Sequence, residues 1–185
     1  MTKKIAVIVG SLRKEAYSRK MAKALILLAP ESLALEIVEI GDVPFYNQDL
    51  EDSGTSPKSW TVFREQVKKC DAFLFVTPEY NRGMPAVLKN AIDVGSRPSG
   101  QSVWEGKPAG VVSVSPGALG GFGANHNFRQ TMVFLNVPVM QQPEAYIGGA
   151  KTLFDASGAL VNESSREFLR KFMTAFAAWV ARGAC

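Results

Sequence analysis

The chain has 185 residues, 46% of them hydrophobic and 21% charged, proportions of an ordinary soluble globular protein and too polar for a membrane-embedded one. A net charge of +4, with the basic residues forming no stripe, argues for anionic small molecules as partners and against nucleic acid. There is no apolar run of the roughly 18 residues that a membrane span needs, and the N-terminus lacks a signal-peptide layout. The two cysteines, Cys70 and Cys185, show no metal spacing, so the expectation is a reduced, cytoplasmic setting without metal or membrane partner. The length suits a single domain over residues 1–185.

Residues 4–9 are a short, apolar, β-branched run, the pattern of a strand buried on both faces. The run stops at Gly10-Ser11. From Tyr17 a helical period (Tyr17, Met21, Leu25, Leu28) leads to a stop at Pro30. Residues 33–40 read as a second strand, and 41–57 as polar and irregular. Trp60, Phe63, Val67 and Cys70 mark one face of a second helix, which makes Cys70 a core position. Residues 72–76 form a continuous apolar strand halted by Thr77-Pro78. A third helix then carries Leu88, Ala91, Ile92 and Gly95. Residues 109–114 are a fourth buried strand, running into a glycine-rich loop that ends at Gly121. A fourth helix over 124–135 and a short fifth strand over 137–140 follow. The stretch 141–162 is long for a connection, and the last helix, 165–182, gathers Phe168, Leu169, Phe172, Phe176 and Trp179 on a broad apolar face.

Five alternations of strand and helix predict an α/β, three-layer α/β/α sandwich with a five-stranded parallel sheet and right-handed crossovers. The flavodoxin-like strand order 2-1-3-4-5 places strands one and three at the switch point, where ligands bind beyond the carboxyl ends of the strands. The unusual loops after strands one, three and four then share one rim.

A strand that ends in a Gly-Ser turn and opens a helix presents free backbone N–H groups and the positive end of a helix dipole. Ser11 and Ser18 add hydroxyl donors and Arg13 a cationic fork, a set suited to a phosphate monoester. The plain alternative makes Ser11 a turn cap and Arg13 a solvated cation. In the second loop, Pro78, Glu79, Tyr80, Asn81 and Arg82 combine an aromatic, a carboxylate, an amide and a guanidinium beside a planar heterocycle. Otherwise Glu79 is a helix-start carboxylate. The third loop, with Ser115, Pro116 and Gly117, has little side-chain bulk, so its backbone can approach a flat ring. It reads equally as a plain linker. Taken together, the three loops describe a mononucleotide site.

Gly10-Ser11-Leu12-Arg13 with Ser18, Pro78-Glu79-Tyr80-Asn81, and Leu88-Lys89-Asn90-Ala91-Ile92-Asp93 resemble the NADPH-dependent FMN reductase family, and within it the bacterial chromate and quinone reductases. The resemblance runs from about residue 4 to about 180. It implies FMN held without a covalent bond and NADPH or NADH as electron donor. It places Ser11, Leu12, Arg13, Tyr17 and Ser18 at the phosphate end, Pro78, Glu79, Tyr80, Asn81 and Arg82 beside the ring, and Ser115, Pro116 and Gly117 completing the site. Small-molecule acceptors (quinones, free flavins, azo compounds, oxyanions such as chromate) would be reduced by ping-pong exchange, the flavin N5 carrying the hydride and no side chain acting as catalyst. Relatives of this kind are typically dimers or tetramers.

Arg82, with Tyr80, is the candidate rim for the nicotinamide phosphates or an oxyanion acceptor; a solvated arginine is the alternative. His126, the one histidine, reads as a surface or interface hydrogen-bonding group, since hydride transfer needs no imidazole. The fourth helix is apolar on more than one side, which with segment 141–162 suggests a contact between copies. Three other readings are weaker. An electron-carrier flavodoxin would benefit from an acidic docking face, a receiver domain needs acids after the first strand, and a Rossmann domain needs G-x-G-x-x-G. Glu39 only mimics the ribose-binding acid of the last and is expected at the surface.

Overall fold

Two adjacent apolar strands, each with a partner on either side, hold the molecule together in the computed structural model, which describes residues 1–183. Strand β1 (Lys3–Val9) pairs in parallel with β2 (Leu33–Val38) and with β3 (Ala72–Thr77). Strand β4 (Ala109–Val114) adds to β3 and β5 (Ala145–Ile147) to β4, which gives the expected parallel order β2-β1-β3-β4-β5. Every residue of β3 and β4 is buried, as a sheet covered on both faces requires.

Alternation along the strands separates two cores. Val7, Val9, Leu74, Val76, Val112 and Val114 face α1 (Tyr17–Leu28) and α6 (Glu163–Ala181), where Met21, Leu25, Phe172 and Phe176 complete the packing. Ala6, Ile8, Phe73, Phe75 and Val111 face α3 (Lys58–Lys68), α4 (Ala86–Gly95) and α5 (Phe122–Phe134). At the centre of this second core the fully buried Trp104 meets the rings of Phe63, Phe73 and Phe75 and donates its indole N–H to the Ile92 carbonyl at 2.9 Å. A Cβ at Gly95 would stand 2.5 Å from that ring, so the contact depends on glycine.

Three expectations change. The fifth strand is Ala145–Ile147, not 137–140. The earlier run only skirts the start of β4: Val139 forms an isolated bridge to Ala109, the Ala109 N–H donates to the Pro138 carbonyl, and the Met140 N–H to the Ala109 carbonyl. Pro138 has no N–H to extend a ladder. The long segment 141–162 thus contains a strand, together with a 3₁₀ turn at Ala150–Thr152. The irregular stretch 41–57 contains the short helix α2 (Gln48–Asp52), capped by the Asn47 side chain accepting from the Asp49 N–H.

Cys70 follows α3 at the margin of the second core. It is half-buried rather than a core residue, and burial pushes its thiol above the ordinary range. Cys185 lies outside the described residues. Among the described residues, no helix is long and apolar enough to cross a membrane.

Candidate functional site

Gly10 closes β1. Its N–H still donates to the Val76 carbonyl (2.9 Å), and a Cβ there would crowd Thr77, Pro78 and Leu88 at 3.0–3.2 Å. The absent side chain lets the first loop leave the sheet close against the second. Ser11 is buried, its Oγ accepting weakly from the Arg13 N–H at 3.4 Å. Helix α1 then starts with no side-chain cap from Ala16 and no acid in its first turn. Ser18, 1% exposed, has a hydroxyl with no hydrogen-bond partner. Leaving such a group unpaired costs about 1–3 kcal/mol. An uncapped helix start beside an unpaired buried donor, with Arg13 close in the chain, is rich in donors and poor in acceptors. Its chemistry suits a phosphate.

The second loop is a tight hairpin. The Tyr80 and Gly83 backbones exchange two hydrogen bonds of 3.0 Å, and the residues between them, Asn81 and Arg82, have φ of 51° and 66°. That is the geometry of a primed turn, usual for asparagine and strained for arginine. Glu79 ties this loop to its neighbour. Its Oε1 accepts from Arg82 (3.1 Å), and its Oε2 accepts from the Ala124 N–H (3.0 Å) in the first turn of α5. The carboxylate does start a helix, but α5 rather than α4. The approach requires Gly123, where a Cβ would lie 2.7 Å from the Arg82 carbonyl and 2.9 Å from Glu79.

The third loop leaves β4 with the Ser115 N–H donating to the Ile147 carbonyl (2.9 Å) and the Gly117 N–H to the Ser115 Oγ (3.1 Å). Left-handed glycines at 120 and 121 return the chain into α5, and Gly120 passes so near Tyr146 that a Cβ would fall 2.5 Å from its backbone.

The three loops enclose a cavity of about 240 Å³. Ser11, Arg13, Tyr17 and Ser18 line it from the first loop and helix, Pro78, Glu79 and Tyr80 from the second, and Ser115 and Pro116 from the third. Leu12, Asn81, Arg82 and Gly117 do not line it. Leu12 is exposed above Gly41, and Asn81 and Arg82 occupy the hairpin tip. Ala16 and Val114 line it as well. The residues gave no chemical signal for these two, although both stand at element ends next to residues that did.

His126 lies apart, with its Nε2 2.8 Å from the Tyr146 hydroxyl and its ring beside Phe122. Burial, and then a hydrogen bond to Glu144, push the Tyr146 hydroxyl up to about 12. Glu39 is exposed and grips Arg19 through two contacts of 2.9 and 2.6 Å, which hold its carboxyl below the ordinary glutamate range.

Residues 3–152 match the family described as NADPH-dependent FMN reductase. The chain is 64% identical over 176 residues to a quinone reductase of Pseudomonas putida, covering 95% of this chain and 94% of that one. It is 44% identical over 180 residues to a 2-hydroxy-1,4-benzoquinone reductase of a Burkholderia species, covering 97% of each. Among solved structures, it superposes on FerB, a flavoenzyme NAD(P)H:(acceptor) oxidoreductase from Paracoccus denitrificans, with a TM-score of 0.92, 38% identity and full coverage of both chains.

Proposed function

Because this chain belongs to the NADPH-dependent FMN reductase family, an oxidoreductase family that uses FMN and NAD(P)H, we propose that it passes electrons from NADPH or NADH to quinones. Free flavins, azo compounds and oxyanions such as chromate are further acceptors in this reading. Bound FMN supplies the hydride chemistry. The chain supplies binding and position. Ser11, Ser18, Arg13 and the first-turn N–H groups of α1 hold the phosphate, with Tyr17 flanking and Leu12 turned outward over Gly41. Pro78, Glu79 and Tyr80 bound the ring, with Asn81 beyond them at the hairpin tip, and Ser115 and Pro116 complete its pocket, with Gly117 just outside it.

The observation that carries this reading is the unpaired, buried Ser18 hydroxyl at an uncapped helix start. Glu79 serves as a strut rather than a proton donor, since both of its oxygens are already engaged. Arg82, three-quarters exposed, offers a cation to the nicotinamide phosphates or to an anionic acceptor. The nicotinamide and the acceptor take turns at one open face, so the kinetics are ping-pong.

The setting in this reading is a cytoplasmic, single-domain protein that assembles as a dimer or tetramer. The assembly is favoured by Val133 and Phe134 of α5, which are 80% and 85% exposed. Anaerobic addition of NADPH, and separately of NADH, to the purified protein tests the function. Flavin absorption that bleaches within seconds and returns on adding a quinone is the expected result. Flavin bands that persist in both reductants would make the protein an electron carrier, and failure to take up FMN would remove the site assignment.

A further inference from the structure

The tip of the second loop holds an arginine where the backbone favours a glycine. Asn81 and Arg82 are the central residues of the turn from Tyr80 to Gly83, with φ of 51° and 66°. A primed turn accepts asparagine at its first central position and prefers glycine at its second, because glycine meets a positive φ without strain. Here the glycine comes one place late, as Gly83, and Arg82 takes the strained position. Such strain persists where neighbouring contacts over-determine the backbone, and it gathers at residues whose side chains are used. The contacts are in place. The Arg82 carbonyl lies so close to the first turn of α5 that a Cβ on Gly123 would stand 2.7 Å from it, and Asn127 accepts from the Met84 N–H at 3.2 Å. Both tie the turn to α5.

The use follows from where the guanidinium ends up. Its Nη1 donates to Oε1 of Glu79 at 3.1 Å, and Glu79 lines the cavity between the three loops. Arg82 does not line it, and its side chain is 74% exposed. The cation thus stands one carboxylate outside the cavity, on a mount that cannot slide. Its other N–H donors have no protein partner among the described residues. Glu79 does not neutralise it alone, because that carboxylate is shared with the Ala124 N–H at the positive end of α5. Arg13, the cation that does line the cavity, is taken up by the FMN phosphate in the function proposed above.

We infer that Arg82 selects the electron donor, by binding the 2′-phosphate that NADPH carries and NADH lacks. This selection rests on the donor chemistry proposed above and names the residue that tells the two donors apart. The nicotinamide has to reach the ring inside the cavity, so the adenosine end of the dinucleotide trails beyond the rim, where the free guanidinium donors stand. A phosphate monoester there presents three oxygens and about two charges to a planar fork, which suits a guanidinium. The diester phosphates common to both donors carry a single charge each.

Reduction by the donor alone tests this, because it involves no acceptor. The FMN-loaded parent, Arg82→Gly and Arg82→Lys are mixed anaerobically with NADPH or NADH, and flavin bleaching is followed against donor concentration. The parent half-saturates at a lower concentration of NADPH than of NADH. In Arg82→Gly, a residue suited to the positive φ, half-saturation by NADPH needs about tenfold more donor while that by NADH shifts less than about twofold. The loss lies in half-saturation rather than in the limiting rate. Arg82→Lys, which keeps the charge without the fork, recovers part of it. Adenosine 2′-monophosphate competes with NADPH in the parent and about tenfold more weakly in Arg82→Gly, whereas adenosine competes equally in both. Equal shifts for the two donors overturn the inference. So do a limiting rate that falls with both, or adenosine 2′-monophosphate competing equally in parent and variant. A parent that takes up FMN and is bleached by neither donor overturns the proposed function and this inference together. Bleaching by both donors with an unaltered preference in Arg82→Gly overturns this inference alone.

Discussion

Ser18 carries a hydroxyl that the fold has hidden without giving it a protein partner. Removing it from the empty protein relieves an unsatisfied group, whereas removing it from the FMN complex deletes a hydrogen bond to a charged phosphate, worth about 1.5–3 kcal/mol. Ser18→Ala therefore weakens FMN binding about tenfold or more while the melting temperature of the FMN-free protein holds or rises. Fluorescence titration and thermal melts read the two effects separately, and a fall in both would make Ser18 a structural residue. The donors at this end were legible in the sequence because Ser11, Arg13 and Ser18 stand where a buried strand turns into a helix. Ala16 and Val114 were not, since they give the cavity shape without polar chemistry. Nor was the hairpin at Asn81-Arg82: nothing in an arginine announces a φ of 66°.

At the scale of elements, continuous apolar strands were readable wherever they are buried on both faces. The exception is the fifth, a three-residue strand at the sheet edge. The run 137–140 is as apolar as a strand but contains Pro138, so hydrophobicity and hydrogen-bonding capacity point to different segments, and the ladder follows the second. Tertiary ties across elements were also hidden, such as Glu79 capping a helix 45 residues away and Arg19 of α1 clasping Glu39 just beyond β2.

The Arg19–Glu39 pair sets a pH dependence. Arg19 holds the Glu39 carboxyl below its ordinary value of 4.5. The pair's contribution to stability is thus fully present above that value and is lost as pH falls through the lowered folded-state value. Most of the Glu39 side chain is in solvent, so the effect is small and weakens with salt. Urea melts of Glu39→Gln against the parent converge as pH drops below 4.5 and separate above it; a constant gap across that range would show that the pair does not titrate with folding.

For the molecule as a whole, the telling surface is the far end of α5. The helix buries Phe128 and Met132 and yet leaves Val133 and Phe134 almost wholly in water, an arrangement that favours contact with another apolar face. Phe134→Glu lowers the particle mass in light scattering to that of a single chain or a smaller assembly, with the fold retained by circular dichroism. An unchanged mass would place the contact elsewhere.

The cavity between the three loops belongs to no segment of the chain. Its walls hang from the ends of β1, β3 and β4, drawn from positions 11 to 116, and it exists only while the three central strands are paired. Cofactor binding is therefore linked to global unfolding rather than to local fraying. Each tenfold rise in free FMN above its dissociation constant deepens the native well by about 1.4 kcal/mol. In hydrogen exchange, that gain falls on the amides of β1, β3 and β4. The outer strand β2 and the end of α6 can open without dismantling the cavity, and they exchange at the same rate with or without FMN.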